Sequence, residues 1–348
     1  MVGVPADTGS PQVSPSAVPQ VALSVVLATV DRYQRVQRTV AHLEAQTIRS
    51  QLEVVLVAPS IESLQLKEDP GGDFYDFKIL EVGEIRSLSK VKVQAIEACS
   101  ADLVVFAEDH SWPEPCWAEA IVEAHQAGYA VVGPRILNAN PDSVLSCANY
   151  FACFGSWCEA SPAGEVSQTP WHNTSYRREH LLQLGSELPK LLEVEVLLQD
   201  RLRQQGFHLF LLEKACTYHL NISRLGSWIR QAFWAGKLFA GTRWREKHWG
   251  PMRRLIYIFG APLIPLVRLQ RLLPILRQRQ APDPSSLKLY STLMLSFAIH
   301  AVGEACGYAF GVGSASQRYL EFEARRLEAL SHRDRSKLES ITLLEHHA

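Results

Sequence analysis

The feature that most constrains the fold of this chain is a regular alternation of short apolar runs with amphipathic stretches over residues 21–133. Five apolar runs have the length and composition of buried strands, at residues 21–28, 52–58, 77–82, 103–107 and 129–133. Three stretches between them carry apolar residues at helical spacing, at residues 33–46, 87–99 and 114–126. Strands that alternate with helices along the chain form a parallel or mostly parallel sheet. The sequence therefore predicts an α/β fold.

The chain becomes irregular after this alternation and then regular again. Residues 138–170 contain several Gly, Pro and Asn, which predicts a long loop insertion. Loops at the edge of an α/β sheet often carry binding residues, although a purely structural excursion fits equally well. Residues 193–205 predict an amphipathic helix that ends at Gly206, and residues 207–212 predict a further strand.

A change in charge divides the chain near residue 220. Residues 1–220 carry 16 basic and 27 acidic residues, a net of −11, whereas residues 221–280 carry 12 basic residues and one acid, a net of +11. We therefore expect four parts with different surroundings. They are a disordered tail at residues 1–20, an α/β domain at 21–220, basic and Trp-rich helices at 221–313, and a charged helix and tail at 314–348.

The cysteines and the N-terminal residues indicate a compartment. The seven Cys are odd in number and have neither the spacing of a small disulfide framework nor a Cys-x-x-Cys pair. We therefore expect reduced thiols and no zinc site. The first twenty residues contain no Lys or Arg and no apolar core, which argues against a signal peptide. The α/β domain is accordingly expected in the cytoplasm.

The most specific local feature is Glu108-Asp109-His110, which directly follows the apolar run Val104-Val105-Phe106-Ala107. In open α/β sheets, ligands bind at the carboxyl ends of the strands. Carboxylates and histidine at that edge can hold a divalent cation, which neutralises the diphosphate of a leaving nucleotide. An ordinary explanation fits the sequence equally well, in which Asp109 caps the next helix and His110 is a loop residue.

Residues 24–32, Ser-Val-Val-Leu-Ala-Thr-Val-Asp-Arg, and residues 53–57, Glu-Val-Val-Leu-Val, resemble the start of the family 2 glycosyltransferases. The resemblance covers about residues 21–220, and the C-terminal helices look like the tails of some bacterial, membrane-associated members. It implies a GT-A fold, which is a Rossmann-like, mostly parallel sheet flanked by helices. It also implies an inverting glycosyltransferase that moves a sugar from a nucleotide diphosphate sugar to an acceptor hydroxyl.

The Asp-x-Asp signature of this family falls on Glu108-Asp109-His110, so the resemblance implies a divalent metal site for Mg²⁺ or Mn²⁺. The implied metal ligands are Glu108, Asp109, His110 and His219. The residues implied to bind the nucleotide sugar are Thr29, Asp31, Arg32, Lys92, Glu108 and Asp109. Simpler explanations stay open for three of them. His219 can be a satisfied structural residue, Lys92 an exposed helix charge, and Asp31 a helix cap.

The Glu-Asp pair of the family precedes an Arg-Leu-x-x-x-Gly run, and it falls on Val194 and Glu195 when residues 201–206 are aligned with that run. Glu195 is thus the predicted catalytic base, which takes the proton from the acceptor hydroxyl, and Glu193 is the reserve. An acidic residue at a helix start is also stabilised by the helix dipole without any catalytic role. The segment Trp171-His172-Asn173 resembles the part of the family that lines the acceptor side.

The basic part of the chain predicts contact with a lipid surface. Its net charge of +11 is interleaved with Trp228, Trp234, Trp244 and Trp249, and Trp favours the membrane interface. We expect a peripheral or monotopic protein on the cytoplasmic face of the membrane, with a single broken transmembrane span in residues 255–313 left open. The adjoining helices are too apolar for nucleic acid to be the simplest partner. The acceptor is expected to be a glycan or a lipid-linked molecule.

Two other classes of protein compete with this interpretation. A non-catalytic membrane-bound module could keep the fold and lose turnover, because the Asp-x-Asp signature is altered and the Asp that often follows the second strand is replaced by Ala58-Pro59-Ser60. A nucleotidyltransferase would release pyrophosphate and needs a Gly-rich phosphate loop, which the sequence lacks.

Overall fold

The structure is a computed structural model that describes residues 20–278 and 285–344. In this part of the chain, nine strands form one sheet. The strands are β1 Leu23–Ala28, β2 Leu52–Ala58, β3 Asp76–Glu81, β4 Leu103–Ala107, β5 Ser111–Pro113, β6 Val131–Asn138, β7 Gly164–Val166, β8 Ser175–Arg177 and β9 Leu209–His219. The predicted tail at residues 1–20 lies outside the described residues, apart from Gln20.

The first half of the sheet is parallel and the second half is mixed. Strands β1 to β4 run parallel in the spatial order β3-β2-β1-β4. Strand β8 pairs antiparallel with both β4 and β6, β6 pairs parallel with β9, and β5 and β7 pair antiparallel with β9. Every residue of β2 is buried, because helices and loops cover both faces of the sheet at its centre. The predicted α/β fold is confirmed.

The helices of the α/β domain are α1 Gln37–Glu44, α2 Ile61–Leu64, α3 Leu88–Ala98, α4 Trp117–Gln126, α5 Val144–Phe154, α6 Arg178–Leu182, α7 Leu188–Leu191 and α8 Glu195–Gln204. The helices that follow are α9 Leu225–Glu246, α10 Pro251–Gly260, α11 Ile264–Gln278, α12 Ser285–Phe310, α13 Ala315–Glu323 and α14 His332–Ser340. The predicted elements before residue 138 agree with these bounds to within a few residues.

The expected loop at residues 138–170 is wrong in two respects, because α5 and the short strand β7 lie inside it. Ser143 caps this helix through its hydroxyl, which accepts a hydrogen bond from the Ser146 amide at 3.0 Å. The apolar side of α5 packs with Phe297 and Leu293 of α12. A sequence window could not show this, since the partner that stabilises the helix follows it by about 140 residues.

Helices α9 and α12 pack together closely because glycines face each other along their contact. A Cβ atom added at Gly236 would lie 2.2 Å from the carbonyl oxygen of His300, and one added at Gly303 would lie 2.2 Å from that of Phe233. No side chain fits at either position, so the two backbones touch directly. This contact fixes α12 against α9, and α12 in turn packs on α5 of the α/β domain.

The end of the chain returns to the α/β domain. Helix α13 and the residues after it lie against the start of the chain, where Arg35 donates a hydrogen bond to the carbonyl of Ala324 at 2.8 Å. Arg38 donates in the same way to the carbonyl of Leu338 at 3.2 Å. The predicted charged helix and tail at residues 314–348 is therefore packed against the domain as far as residue 344, and residues 345–348 lie outside the described part.

Two helical stretches are long and apolar enough to cross a membrane by length and composition, Pro251–Gln278 and Leu287–Phe310. They differ in burial. In the most apolar window of the first stretch only 17% of the residues are buried, against 44% in the second. The first stretch, which comprises α10 and α11, therefore presents most of its apolar side chains on the surface.

Candidate active site

The ends of β4 and β9 bring three ligand-type side chains together. Glu108 directly follows β4, and His110 lies in the turn that leads from Glu108 to β5. Strand β5 then pairs with β9 so that Ser111 faces His219. The Nε2 atom of His110 lies 3.3 Å from Oε1 of Glu108, and Nε2 of His219 lies 3.7 Å from Oε2 of Glu108. We call these three buried residues the Glu108 cluster; their ligand atoms all lie within 4.8 Å of one another.

Neighbouring groups orient both histidines of the Glu108 cluster. Nδ1 of His110 lies 2.7 Å from Oδ1 of Asp109, and Nδ1 of His219 lies 3.1 Å from Oδ1 of Asn221. Both contacts favour the proton on Nδ1 and leave Nε2 as the ligand atom. Nε2 of His110 and Oε2 of Glu108 are buried without a hydrogen-bond partner among the described residues. Carboxylate and imidazole atoms held in this way fit a divalent cation.

One predicted metal ligand, Asp109, lies apart from the other three. It does not belong to the Glu108 cluster, because it lies in the turn after Glu108 and its carboxylate contacts Nδ1 of His110 on the side of the ring away from Nε2. Asp109 thus holds the imidazole of His110 in position. The other three predicted ligands, Glu108, His110 and His219, are brought together.

Charges inside the Glu108 cluster are strongly coupled. Burial alone would raise the pKa of Glu108, but the facing histidines His172, His110 and His219 hold it well below its ordinary value. Burial and the nearby Arg326 lower the pKa of His110, yet the carboxylates of Glu108 and Asp109 outweigh them and raise it to about 9. Burial holds the pKa of His219 well below its ordinary value. The cluster therefore contains an ionised Glu108, a protonated His110 and a neutral His219 at physiological pH, and a divalent cation would displace the proton from Nε2 of His110.

The C-terminal segment adds two charged residues that the sequence did not indicate. Oε2 of Glu323 lies 3.6 Å from Nε2 of His110, and Arg326 donates a hydrogen bond to the same carboxylate oxygen at 2.5 Å. Both residues are buried. In this region the sequence predicts only a charged helix, near residues 317–330. The charge pattern does not show which strand ends that helix approaches.

The predicted base lies in a buried ion pair at the start of α8. Nζ of Lys92 on α3 donates to Oε1 of Glu195 at 2.6 Å, while Oε2 of Glu195 is buried without a partner among the described residues. Lys92 also lies over the ring of Phe106, 4.7 Å from its centroid. Burial and the Glu195 carboxylate hold the pKa of Tyr176 well above its ordinary value, so its phenol stays protonated. Since the ion pair with Lys92 uses Oε1 of Glu195, Oε2 is the oxygen that can accept a proton.

The three residues predicted on the acceptor side have different positions. Trp171 and His172 line a large cavity, and Nε2 of His172 lies 3.5 Å from Oε1 of Glu108. Asn173 is buried instead, in a left-handed conformation with φ of 62°, and its side chain binds the hydroxyl of Ser111. Asn173 thus anchors this loop to the segment after β4 and directs His172 toward Glu108.

The predicted nucleotide contacts at the end of β1 lie at the same edge of the sheet as the Glu108 cluster, since β1 and β4 are adjacent. Thr29 is buried, and its hydroxyl accepts a hydrogen bond from the Asp31 amide at 3.3 Å. The Asp31 carboxylate pairs with Arg35 at 3.2 Å, and Arg32 is exposed. Among the described residues that line the large cavity, none of Thr29, Asp31 and Arg32 occurs.

The cavity has a volume of about 740 Å³ and lies between the α/β domain and the C-terminal helices. Lys92, Glu195, His172 and Glu323 line one part of it, and residues of α9 to α12 line the rest. His172 and Glu323 separate this space from Glu108 and His110, which they contact directly. The predicted base therefore lines a space that is large enough for a substrate, and the Glu108 cluster lies directly behind one wall of this space.

The sheet has a parallel half, and acidic and histidine side chains lie at the carboxyl edge of that half. Its fold matches a solved structure described as mannosyltransferase PcManGT from Pyrobaculum calidifontis in complex with GDP-Man and Mn²⁺. The likeness has a TM-score of 0.50 at 12% identity and covers 87% of this chain and 91% of that one. The predicted GT-A fold is confirmed.

Sequence comparison finds a family match in the α/β domain. Residues 24–184 match the family described as glycosyl transferase family 2. A relative from Haloferax volcanii, named glucosyl-dolichyl phosphate glucuronosyltransferase, is 27% identical over 174 residues, which are 47% of this chain. The matched region spans 55% of that relative's length. Residues 24–184, a little under half of the chain, thus match the family that the resemblance implied, whereas the bacterial type stays a prediction.

Proposed function

We propose that the protein transfers a sugar from a nucleotide diphosphate sugar to an acceptor hydroxyl at a membrane, with inversion at the anomeric carbon. The observation that carries this proposal is the single cavity that joins the Lys92–Glu195 pair, the wall of the Glu108 cluster and the apolar C-terminal helices. The Haloferax relative supports a lipid-linked acceptor through its name, and the family supports glycosyl transfer.

The Glu108 cluster forms the cation site in this proposal. Glu108, His110 and His219 would hold Mg²⁺ or Mn²⁺, and Asp109 and Asn221 keep the two imidazoles oriented. A divalent cation bound there would neutralise the charge that develops on the departing nucleoside diphosphate. Thr29, Asp31 and Arg32, at the same edge of the sheet, stay our candidates for contacts with the nucleotide.

Glu195 acts as the catalytic base in this proposal. Its Oε2 accepts the proton from the acceptor hydroxyl as that oxygen attacks the anomeric carbon from the face opposite the leaving group. One carbon–oxygen bond forms while the bond to the diphosphate breaks, so the configuration inverts. Lys92 holds the carboxylate in the cavity through Oε1.

The first test is thermal stabilisation of the full chain by a panel of nucleoside diphosphates, each with and without Mn²⁺. We expect one nucleotide to raise Tm by at least about 2 °C only when Mn²⁺ is present, because saturating ligand adds about 2.7 kcal/mol at 100 times Kd. The corresponding donor should then release nucleoside diphosphate in the presence of membrane lipid extract.

Each alternative gives a different result in these assays. Pyrophosphate release would identify a nucleotidyltransferase. A folded protein that no nucleotide stabilises would be the non-catalytic membrane module. Metal-dependent stabilisation without turnover on any acceptor would point to the same module with a preserved donor site.

We also propose that α10 and α11 dock on the cytoplasmic face of a membrane. The exposed apolar residues of this face recur at helical spacing and are Met252, Leu255, Ile256, Phe259, Leu263, Leu266 and Val267. Phe259 is 79% exposed and Ile256 64% exposed, which is unusual for such side chains on a water-facing helix. The net charge of +11 over residues 221–280 suits anionic head groups.

Flotation with phosphatidylglycerol-containing vesicles tests this surface. We expect the wild-type chain to float with the vesicles and the double substitution Ile256→Ser and Phe259→Ser to reduce the floated fraction at least about fivefold, because the inserted apolar area is lost. The matched control is Ile61→Ser, which removes an exposed apolar residue from the α/β domain. Equal loss in the control and the double variant would refute docking through α10 and α11.

A further inference from the structure

Two buried polar side chains lie beside the predicted base without lining the cavity. Gln199 and Tyr176 have no exposed surface, and neither is among the described residues that line the cavity. Gln199 follows Glu195 by four residues on α8, so the two side chains lie on the same face of the helix. Nε2 of Gln199 donates a hydrogen bond to the hydroxyl of Tyr176 at 3.4 Å. Neither residue can touch a substrate in the cavity, so any effect on the reaction passes through Glu195.

The orientation of Gln199 decides the role of the Tyr176 hydroxyl. Oε1 of Gln199 accepts a hydrogen bond from the backbone amide of Thr169 at 3.0 Å. The side-chain amide therefore cannot turn over, because its NH₂ group would then face another donor. Nε2 is held against the phenol oxygen and uses one of its lone pairs. The proton of the Tyr176 hydroxyl is thus left to be donated to another group.

The Glu195 carboxylate is the neighbour that can accept this proton. Among the described residues, Gln199 is the only hydrogen-bond partner of the Tyr176 hydroxyl, and Oε2 of Glu195 is buried without a partner. Burial and, after it, the charge of Glu195 hold the pKa of Tyr176 well above its ordinary value, so the two groups are close. A buried donor and a buried acceptor that each lack a partner are both stabilised when they pair.

Further contacts fix the same carboxylate from the other side. Nζ of Lys92 donates to Oε1 of Glu195 at 2.6 Å and lies 4.7 Å from the centroid of the Phe106 ring. The Phe106 ring in turn lies 5.9 Å from that of Tyr176. These contacts form a closed ring of side chains from α3, β4, β8 and α8 around the base. The carboxylate therefore has an ammonium on one oxygen and a phenol close to it.

We propose that Tyr176 is a positioning residue for the base: its hydroxyl, directed by Gln199, donates to Oε2 of Glu195 and holds the carboxylate toward the cavity. A carboxylate oxygen accepts two hydrogen bonds, so Oε2 keeps a lone pair for the proton of the acceptor hydroxyl. With Lys92 on Oε1, both oxygens are fixed, and a base that cannot rotate stays in line with the attacking oxygen. The role rests on the proposed function, because Tyr176 acts only through Glu195.

The first test is the substitution Tyr176→Phe, assayed as sugar transfer by the full chain in detergent. We expect kcat to fall about 10- to 100-fold while KM for the donor stays unchanged, because the lost hydrogen bond is made to a charged group that does not hold the donor. Gln199→Leu should cause a similar loss, and the double variant should be no slower than the slower single variant. Tyr150→Phe is the matched control, since its buried hydroxyl donates to the carbonyl of Ile136 at 2.6 Å and does not line the cavity. Its kcat should stay within about twofold of the wild type.

A double-mutant cycle in thermal unfolding tests the contact itself, whether or not sugar is transferred. We expect Tyr176→Phe to lower Tm clearly less in the Glu195→Gln background than in the wild type, because the phenol then loses only a neutral partner. The same cycle with Tyr150→Phe should be additive. An additive cycle for Tyr176, an unchanged kcat in Tyr176→Phe, or an effect confined to KM would each overturn the positioning role. A wild-type chain that transfers no sugar would refute the proposed function, and the cycle alone would then decide whether Tyr176 acts on Glu195.

Discussion

Replacement of Glu195 by Gln should lower the rate of sugar transfer by at least about 10³-fold, because a neutral amide cannot take the proton from the acceptor hydroxyl. The substitution preserves size, and the amide oxygen can still accept the hydrogen bond that Lys92 donates at 2.6 Å. We therefore expect the nucleotide to stabilise the variant as it stabilises the wild type. The measurement is kcat for release of nucleoside diphosphate with acceptor present, alongside the thermal shift.

Glu193 provides the matched control, since it is the other acidic residue at the start of α8. Its carboxylate binds the hydroxyl of Ser316 and lies 3.4 Å from Nη2 of Arg245, so both of its oxygens have partners. We expect Glu193→Gln to change kcat by less than about tenfold. If Glu193→Gln abolished transfer and Glu195→Gln did not, the assignment of the base would be reversed.

The α/β domain could be predicted from the sequence because its signals are local. Strands β2 and β4 have the predicted bounds, since each is an apolar run, interrupted in β2 only by Glu53, that is buried on both faces. Helix α3 begins after Ser87, whose hydroxyl caps it as a sequence signal of this kind suggests. Helix α5 was missed because its stability comes from packing against α12, which no window around residues 144–154 contains.

The candidate site was predictable in its residue types and only partly in its geometry. The run Glu108-Asp109-His110 identified the edge of the sheet. The sequence alone, however, does not show which of these three side chains converge on one site. The pairing of β5 with β9 decides this, because it sets His219 opposite Ser111 and leaves Asp109 behind the ring of His110. Strand β5 has three residues and no distinctive sequence signal.

The contribution of the C-terminal segment could not be read from the sequence at all. Residues 317–330 predicted only a charged helix, and a charged helix is usually a solvated one. In the fold, α13 crosses back over the domain and buries Glu323 and Arg326 beside His110. Tertiary packing, which brings residues 110 and 323 within 3.6 Å, therefore turns an apparently solvated segment into a wall of the site.

Removal of a ligand from the Glu108 cluster should abolish binding of Mn²⁺. We expect Glu108→Gln and His219→Ala each to weaken the affinity for Mn²⁺ by more than about 100-fold, because each removes one of three converging ligand atoms. The measurement is a Mn²⁺ titration followed by electron paramagnetic resonance, with and without the nucleoside diphosphate that stabilises the protein. His208→Ala is the control, since this exposed histidine pairs only with Glu165 among the described residues.

Two further substitutions separate residues that ligate the cation from residues that position its ligands. Asp109→Asn should weaken Mn²⁺ binding by about 10- to 100-fold, as expected when a histidine ligand loses the carboxylate that orients it. Glu323→Gln tests whether the C-terminal carboxylate, 3.6 Å from Nε2 of His110, adds its charge to the site. A loss as large as that of Glu108→Gln would make Glu323 a ligand, whereas a loss close to that of Asp109→Asn would make it a positioning residue. Wild-type affinity in His219→Ala would instead show that the cation is held elsewhere, because His219 supplies one of the three ligand atoms that lie within 4.8 Å of one another.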